Sequence, residues 1–516
     1  MLAWNSLFAS NTKSLPKHIM KQNCKIMILP DGRFESFPEG TILLNALNSM
    51  GIALASPCGG KGICGKCSVE ISGETNLACR TNVTDDISIN LIIDNNVINL
   101  SFTKTTSAVS CAIDIGTTTI EISLLDLNSK KQTAYASIMN PQRRYGYDVI
   151  STIAAACDPQ VRKNMTSSLR ASIAHTINSL LSKTGASKVH EIYVSGNTTM
   201  SYLFAGLDLS PLAGYPYALP QQVFEPIDAS SAGFDITGNT KIFILPVISA
   251  FIGGDIAGAI VLTESMDISD NIFFVDIGTN GEMFLKTGSG DILALSCAMG
   301  PALEGMNISM GMTASAGAVV HVNIKDNALE TVVMNNDTAK GFAGTGIIDL
   351  VAIMLENQII HKSGAFNADI NTPFSNAALS AEGLKLNNGL ILTQKDIRAI
   401  QLAKGACRSG AAILLKEAGF ATEDIKFSVI AGSLGNNLNT GNFATLGFLP
   451  PFTNAQSMNL GNTSLATAEK CCLDPKFYDR ILEVCKNVKV IDAANHPYFT
   501  DCFMSFLDFQ LIEKEA

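Results

Sequence analysis

Four cysteines fall within 22 residues: Cys58, Cys64, Cys67 and Cys79, in the run SPCGGKGICGKCSVEISGETNLACR. Their spacing is C-x5-C-x2-C-x11-C, with Gly59, Gly60, Gly62 and Gly65 between the first three. Several thiolates aimed at one point, on a loop with enough glycine to wrap inorganic sulfide, suit an iron–sulfur cluster. Backbone N–H groups of such a loop can point at the sulfides and tune the potential. The competing use is zinc, whose sites usually pair two short C-x2–4-C knuckles. The long first gap and the lone last cysteine depart from that pattern. The spacing predicts a [2Fe–2S] cluster held by these four residues.

A second set of chemistry-bearing residues occurs twice. In CAIDIGTTTIEISLLDL, Asp114 precedes Gly116, Thr117, Thr118 and Thr119; in FFVDIGTNGEMFLK, Asp276 precedes Gly278, Thr279, Asn280 and Gly281. The two copies lie 162 residues apart. A hairpin turn of glycine and hydroxyl residues presents N–H and O–H groups to phosphate oxygens. An aspartate at the strand end can hold Mg²⁺, directly or through water, or orient an attacking water. One such turn could be an ordinary hairpin, whereas two in this order predict a clamp on a phosphate tail from opposite sides. In SVIAGSLGNNLN (428–439), Gly432, Ser433 and Gly435 follow a strand and are read as opening a helix, where backbone can approach a nucleoside. The chain has neither a P-loop nor a G-x-G-x-x-G dinucleotide fingerprint after a strand.

These residues need elements to hold them. Ahead of the cysteine loop, KIMILP and RFESFP read as strands joined at Asp31-Gly32. TILLNALNSMG follows, with Leu43, Leu44, Leu47 and Met50 at helical spacing and Gly51 as its cap. CSVEIS and ISINLII read as strands after the loop, and the polar run SFTKTTSAVS reads as a linker. The expected division is a tail over 1–22, a cluster domain over 23–100, a linker over 101–110 and a nucleotide domain over 111–516.

The 516 residues carry a net charge of −10, which argues against nucleic acid or an anionic membrane as partner. The N-terminal MLAWNSLFAS is too short and too lightly charged for a secretory signal, so a cytoplasmic location is expected. Nine further cysteines (Cys24, Cys111, Cys157, Cys297, Cys407, Cys471, Cys472, Cys485 and Cys502) are then expected as free thiols. A second cluster from Cys471, Cys472, Cys485 and Cys502 is the alternative, though they lack a C-x2-C run. The most apolar stretch, IFILPVISAFIGGDIAGAIVL, is broken by Pro246, Gly253, Gly254 and Asp255 and reads as a buried strand–turn–helix rather than a membrane span. Arg143, Arg144 and Asp148, Glu304 in CAMGPALEGMNISMGM, and Asp349 in an amphipathic GTGIIDLVAIML read as a charge cluster, a loop residue and a satisfied core carboxylate.

The strand–strand–helix–cluster-loop–strand order resembles the β-grasp fold of [2Fe–2S] ferredoxins. From residue 111 the pieces resemble the actin–hexokinase–heat-shock ATPase (ASKHA) superfamily. SAFIGGDIAGAI (249–260) resembles its first interdomain connecting segment, with Asp255 a candidate Mg²⁺ or water ligand, and GNTSLATAEKCC (461–472) its second. The fold class expected is multidomain α+β and α/β: a β-grasp domain, then a two-lobed ASKHA domain of actin/hexokinase and ribonuclease H-like type. Its lobes are placed at about 111–265 and 266–460, with a return segment over 461–516.

In combination the chain resembles the reductive activators of corrinoid-dependent methyltransferases and corrinoid proteins, through CGGKGICGKC with LACR, DIGTTT, NPQRRYGYDVIS, GNTTM, DIGTNGE, GPALEGMNI, QLAKGA and GNTSL. The resemblance implies an ATP-hydrolysing iron–sulfur activase that passes one electron from its cluster to inactive Co(II), restoring Co(I). A plant-type cluster sits near roughly −400 mV and the cobalt couple lies lower, so ATP-driven lobe rotation would change the cobalt coordination to make transfer run. It further implies Asp114 and Asp276 at Mg²⁺ and the lytic water. Thr117, Thr118, Thr279, Asn280 and Gly281 would contact phosphates, and Gly432, Ser433 and Gly435 the nucleoside. The expected partners are a corrinoid protein and a reduced donor (ferredoxin, flavodoxin or a reductase), with a homodimer allowed. Rival readings are an activator of the 2-hydroxyacyl-CoA dehydratase type, a non-redox ASKHA kinase or chaperone-like ATPase with a zinc appendage, and an electron carrier with a vestigial ATPase fold.

Overall fold

The computed structural model describes residues 23–509, apart from 30–33, 51, 53, 55–59, 61, 63–66, 92–96, 147, 235, 237–238, 267, 433 and 435–437. The chain divides into two compact units, Met1–Ile93 and Asp94–Ala516.

The smaller unit is built on strand β1 (Asn23–Leu29), whose alternation puts Cys24, Ile26 and Ile28 inside. Helix α1 (Leu43–Ser49) lays Leu43, Leu44, Ala46 and Leu47 into the same core. With β2 (Phe34–Pro38), β3 (Ser68–Ile71), β4 (Glu74–Leu77) and β5 (Ile87–Leu91), the sheet runs β2-β1-β5-β3-β4. Its central pair, β1 and β5, is parallel. This mixed sheet with one helix is the β-grasp arrangement. The turn at Asp31-Gly32 and the cap at Gly51 lie outside the described residues.

The larger unit repeats one plan twice. Strands β7 (Ala108–Ile115), β8 (Thr119–Asp126) and β9 (Lys131–Met139) form an antiparallel meander. Parallel strands β10 (Lys188–Gly196) and β11 (Lys241–Ile244) extend it beyond β7. The second copy has the meander β12 (Ile272–Ile277), β13 (Gly281–Lys286) and β14 (Ile292–Cys297), extended by parallel β15 (Phe427–Ala431) and β16 (Gln456–Gly461).

Strand β6 (Val97–Phe102) adds to the free edge of β9 in the first sheet. The polar run 101–110 is therefore not a free linker. Its first residues end β6 and its last begin β7, and Thr103 N donates to Thr133 O at 2.8 Å. An edge strand can satisfy its backbone on one side without burying an apolar face, which is why its composition reads as a linker.

Period-two burial divides the core into layers. On β7, Val109, Cys111, Ile113 and Ile115 face helix α2 (Pro159–Thr184), while Ala112 faces the other way. On β12, Ile272 and Phe274 share that second layer, whereas Phe273, Val275 and Ile277 face a third. Helices α4 (Gly254–Glu264) and α7 (Thr463–Leu473) fill the layer between the sheets. They approach so closely that a Cβ on Gly258 would stand 2.2 Å from Thr467 Cγ2. The third layer holds α5 (Gly344–Glu356) and α6 (Gln394–Ala418). Helix α5 is buried all round over 344–355 rather than amphipathic. Its Asp349 accepts from Asn442 Nδ2 at 2.7 Å and faces His321 Nδ1 at 3.0 Å. Among the described residues no helix is long and apolar enough to cross a membrane.

Candidate functional site

The turns after β7 and β12 open onto one cleft of about 330 Å³ within the larger unit. It is lined by Asp114, Gly116, Thr117, Thr118 and Thr119 from the first copy, Asp276, Gly278, Thr279 and Asn280 from the second, and Asp255 and Gly432. Gly281 is not among the residues that line the cleft: a Cβ there would meet Met299 Sδ at 2.5 Å and Cys297 Sγ at 3.0 Å, so packing leaves no room for a side chain at this position. Ser433 and Gly435 lie outside the described residues. The next helix among the described residues is Thr440–Thr445, capped by Asn439. Gly432 has φ +97° and stands where a Cβ would lie 2.6 Å from Asp276 Oδ1.

The two hairpins place carboxylates in matching positions. Asp114 is directly opposite Glu121 across β7 and β8, and Asp276 directly opposite Glu282 across β12 and β13. Like charges facing across an antiparallel pair are unfavourable, and both pairs are at the same cleft. Asp114 accepts from Asn462 Nδ2 at 2.8 Å and from Ser464 Oγ at 2.6 Å, both supplied by the start of α7. Burial still pushes its carboxyl up to about 6, against those two hydrogen bonds and with the Asp255 charge adding to it. Burial does the same to Asp255, to about 6. Asp276 is pushed up to about 8 by burial first and then by the charges of Asp255 and Asp114, and no hydrogen bond offsets this among the described residues. Burial, Asp255 and Asp276 hold Glu282 well above the carboxylate range. Polar groups this desolvated, beside hydroxyl turns, fit a site completed by cations and polyanions.

Other residues complete the cleft. Asn197 caps helix α3 (Thr198–Ala205) by accepting from Met200 N and donates to Thr117 Oγ1 at 3.1 Å. Asn140 Nδ2 donates to Gly116 O at 2.7 Å and fixes the first turn. Glu304 accepts from Thr118 Oγ1 with one carboxylate oxygen and from Thr279 Oγ1 with the other. Sequence reasoning missed Glu121 and Glu282 and read Glu304 as a loop residue. A signal existed for the first two: each DIGT turn is followed by a glutamate, at the seventh residue after Asp114 and the sixth after Asp276.

In the smaller unit, Cys67 and Cys79 are buried and neither is in a disulfide. Cys79 lies in the short turn Ala78–Arg80, and its N–H donates to Cys67 Sγ at 3.5 Å. Gly60 and Gly62 have φ of +78° and +72°. A Cβ on Gly60 would be 3.9 Å from Cys79 Cβ, and one on Gly62 would be 2.2 Å from Arg80 Nε. Gly60 and Gly62 therefore lie close against the Cys79 turn, with an N–H already aimed at a sulfur, which fits a cluster cradle. Cys58 and Cys64 lie outside the described residues. Cys471, Cys472 and Cys485 are buried in the layer between the sheets, while Cys502 is on helix Phe499–Ser505 against α6. Burial raises the thiols of the first three, and among the described residues no three His, Cys, Asp or Glu side chains converge on a metal-sized point.

The fold and the cleft define a class: a two-lobed ASKHA protein preceded by an iron–sulfur β-grasp domain. Comparison with known families agrees along the chain. Residues 26–86 match the 2Fe-2S iron-sulfur cluster binding domain, 109–268 the RACo middle region, and 270–515 the C-terminal domain of RACo, the ASKHA domain. The chain belongs to the RACo family. It is 27% identical over 412 residues to the corrinoid activation enzyme RamQ of Eubacterium limosum, covering 76% of this chain and 69% of that one. It is 27% identical over 334 residues to the [Co(II) methylated amine-specific corrinoid protein] reductase of Methanosarcina barkeri, covering 58% and 59%. A reductive activator for corrinoid, iron-sulfur protein shares the fold, with TM-score 0.72 and 24% identity over 95% of this chain and 99% of that one.

Proposed function

We propose that this chain is an ATP-dependent reductive activator of a corrinoid protein. The observation that carries the reading is the joining, in one chain, of a [2Fe–2S]-binding domain to the RACo middle and ASKHA domains, in relatives whose names state corrinoid activation and reduction. When bound, the cluster supplies one electron at low potential, and cobalt goes from Co(II) to Co(I). Cys58, Cys64, Cys67 and Cys79 would hold it.

The residues of the cleft do the rest. The threonine hydroxyls and backbone N–H groups of the two turns grip the phosphate tail of ATP. Gly432 leaves room for the chain to pass close to Asp276. Mg²⁺ arriving with the nucleotide would be held chiefly by phosphate and water and would supply positive charge beside Asp114, Asp255, Asp276 and Glu282. Asp114 and Asp276 then orient water at the terminal phosphate. The layer between the sheets, α4 and α7, carries Asp255, Asn462 and Ser464, so closure of the cleft moves the two sheets relative to each other. Differential binding of ATP and of the corrinoid partner to one lobe arrangement makes the transfer ATP-dependent. A reduced ferredoxin, flavodoxin or reductase refills the cluster, in the cytoplasm.

The test is anaerobic and optical. The reduced protein is mixed with Co(II) corrinoid proteins and Co(I) absorbance is followed with and without Mg-ATP. Co(I) forming only with Mg-ATP is expected. Intact cluster, intact ATP hydrolysis and no Co(I) with any of several corrinoid partners would overturn the reading.

A further inference from the structure

The point on which the two turns converge is taken by a side chain of this protein. Thr118 belongs to the turn after β7 and Thr279 to the turn after β12, and both hydroxyls donate to the same carboxylate, that of Glu304. A hydroxyl has one proton to donate. While these two are given to Glu304, neither can be given to a phosphate, and a phosphate at that point would meet a like charge.

The backbone around Glu304 holds it there. Residues Pro301–Glu304 form a single tight turn between Gly300 at φ +74° and Gly305 at φ +76°. A Cβ on Gly305 would lie 2.3 Å from Met312 O, and one on Gly344, at the start of α5, 1.6 Å from Leu303 O. The turn is thus pinned from two sides, and the carboxylate can leave the two threonines only by rotating its own side chain.

We propose that Glu304 is an internal stand-in for a phosphate group: it sets the spacing of the two phosphate turns, and the phosphate tail must displace it to bind. The inference rests on the reading of the cleft as an ATP site. Glu304 is then a positioning residue that opposes nucleotide entry, so removing its carboxylate tightens binding instead of weakening it. The gain is confined to nucleotides whose tail reaches the turns.

The experiment is calorimetric titration of the full-length protein and of Glu304→Gln with AMP-PNP and Mg²⁺, and with AMP. Glu304→Gln is expected to bind AMP-PNP about ten-fold more tightly, the factor for one lost charge-assisted hydrogen bond, with AMP affinity unchanged. Glu304→Ala removes both hydrogen bonds, is expected to gain at least as much affinity for AMP-PNP, and serves if the glutamine variant does not fold. Equal or weaker AMP-PNP binding by the folded variants, with wild type binding normally, overturns the stand-in and makes Glu304 a ligand of Mg²⁺ or of nucleotide. A wild-type protein that binds neither nucleotide overturns the ATP reading itself, and the inference with it.

Discussion

Asp276→Asn is expected to stabilise the nucleotide-free protein while destroying its activity. Asp276 is buried, with the charges of Asp255 and Asp114 nearby, and its pKa is raised by burial first and by those charges second from an ordinary 3.8 to about 8. Between those values the folded state retains a proton that the unfolded chain has released. Stability therefore falls as pH rises from about 4 and levels off above about 8. At pH 7 the linkage amounts to about 4 kcal/mol, and relaxation of neighbours and water brings it toward about 2. Asparagine has no charge to suppress, so the variant lacks this slope. The assay is thermal unfolding of the full-length protein in EDTA from pH 5 to pH 8, following the transition of the larger unit. The variant should melt a few degrees higher at pH 8, at roughly 2 °C per kcal/mol, and only about a third of that higher at pH 5. Saturating Mg-ATP should raise the wild type more than the variant, because ligand binding adds stability only where it occurs. A pH-independent difference, or a variant less stable at pH 8, would refute the account of the cleft as a set of carboxylates in electrostatic conflict.

Gly432→Ala should weaken nucleotide binding by about 1–3 kcal/mol, through strain at φ +97° and a Cβ 2.6 Å from Asp276 Oδ1, read as a rise in the Kd for an ATP analogue. Cys79→Ser should remove the visible absorbance and iron content of the smaller unit yet leave nucleotide affinity unchanged, since the two units have separate cores. A zinc-loaded, colourless wild type would contradict the cluster reading. Gly344→Ala drives a Cβ to within 1.6 Å of Leu303 O and should cost more than about 3 kcal/mol, seen as insoluble expression or a large drop in Tm.

The repeated DIGT turns were legible because a strand ending in aspartate, glycine and a hydroxyl makes a local pattern twice over. The register that puts Glu121 opposite Asp114 and Glu282 opposite Asp276 is equally local, and the glutamates were there to read. Glu304 was not legible in the same way. Its partners, Thr118 and Thr279, are 186 and 25 residues away, and only the packing of Gly344 against Leu303 aims it at them. The place of Gly281 in a phosphate-like turn likewise said nothing of Met299 and Cys297 packed behind it. The run 101–110 misled because edge strands need no apolar alternation, and α5 because a helix buried on all sides still contains one aspartate, satisfied by His321 and Asn442.

The carboxylates also explain why such a cleft can do mechanical work. Asp255 is in the first turn of α4, and Asn462 and Ser464 open α7; these two helices form the layer that separates the sheets. Asp114 belongs to the first sheet and Asp276 to the second, so their repulsion acts across that layer. Any arrangement that brings them together is disfavoured until cations and hydrogen-bond donors offset the charge, and is favoured once they do. The free energy of nucleotide binding is then a function of the separation of the lobes, which is the requirement for a ligand to shift a conformational equilibrium. A tenfold bias needs about 1.4 kcal/mol of differential affinity. Burial is the larger cause of the rise at Asp276 and the charges of Asp255 and Asp114 add to it, so it is the part owed to those charges that varies with lobe separation and can bias the lobes.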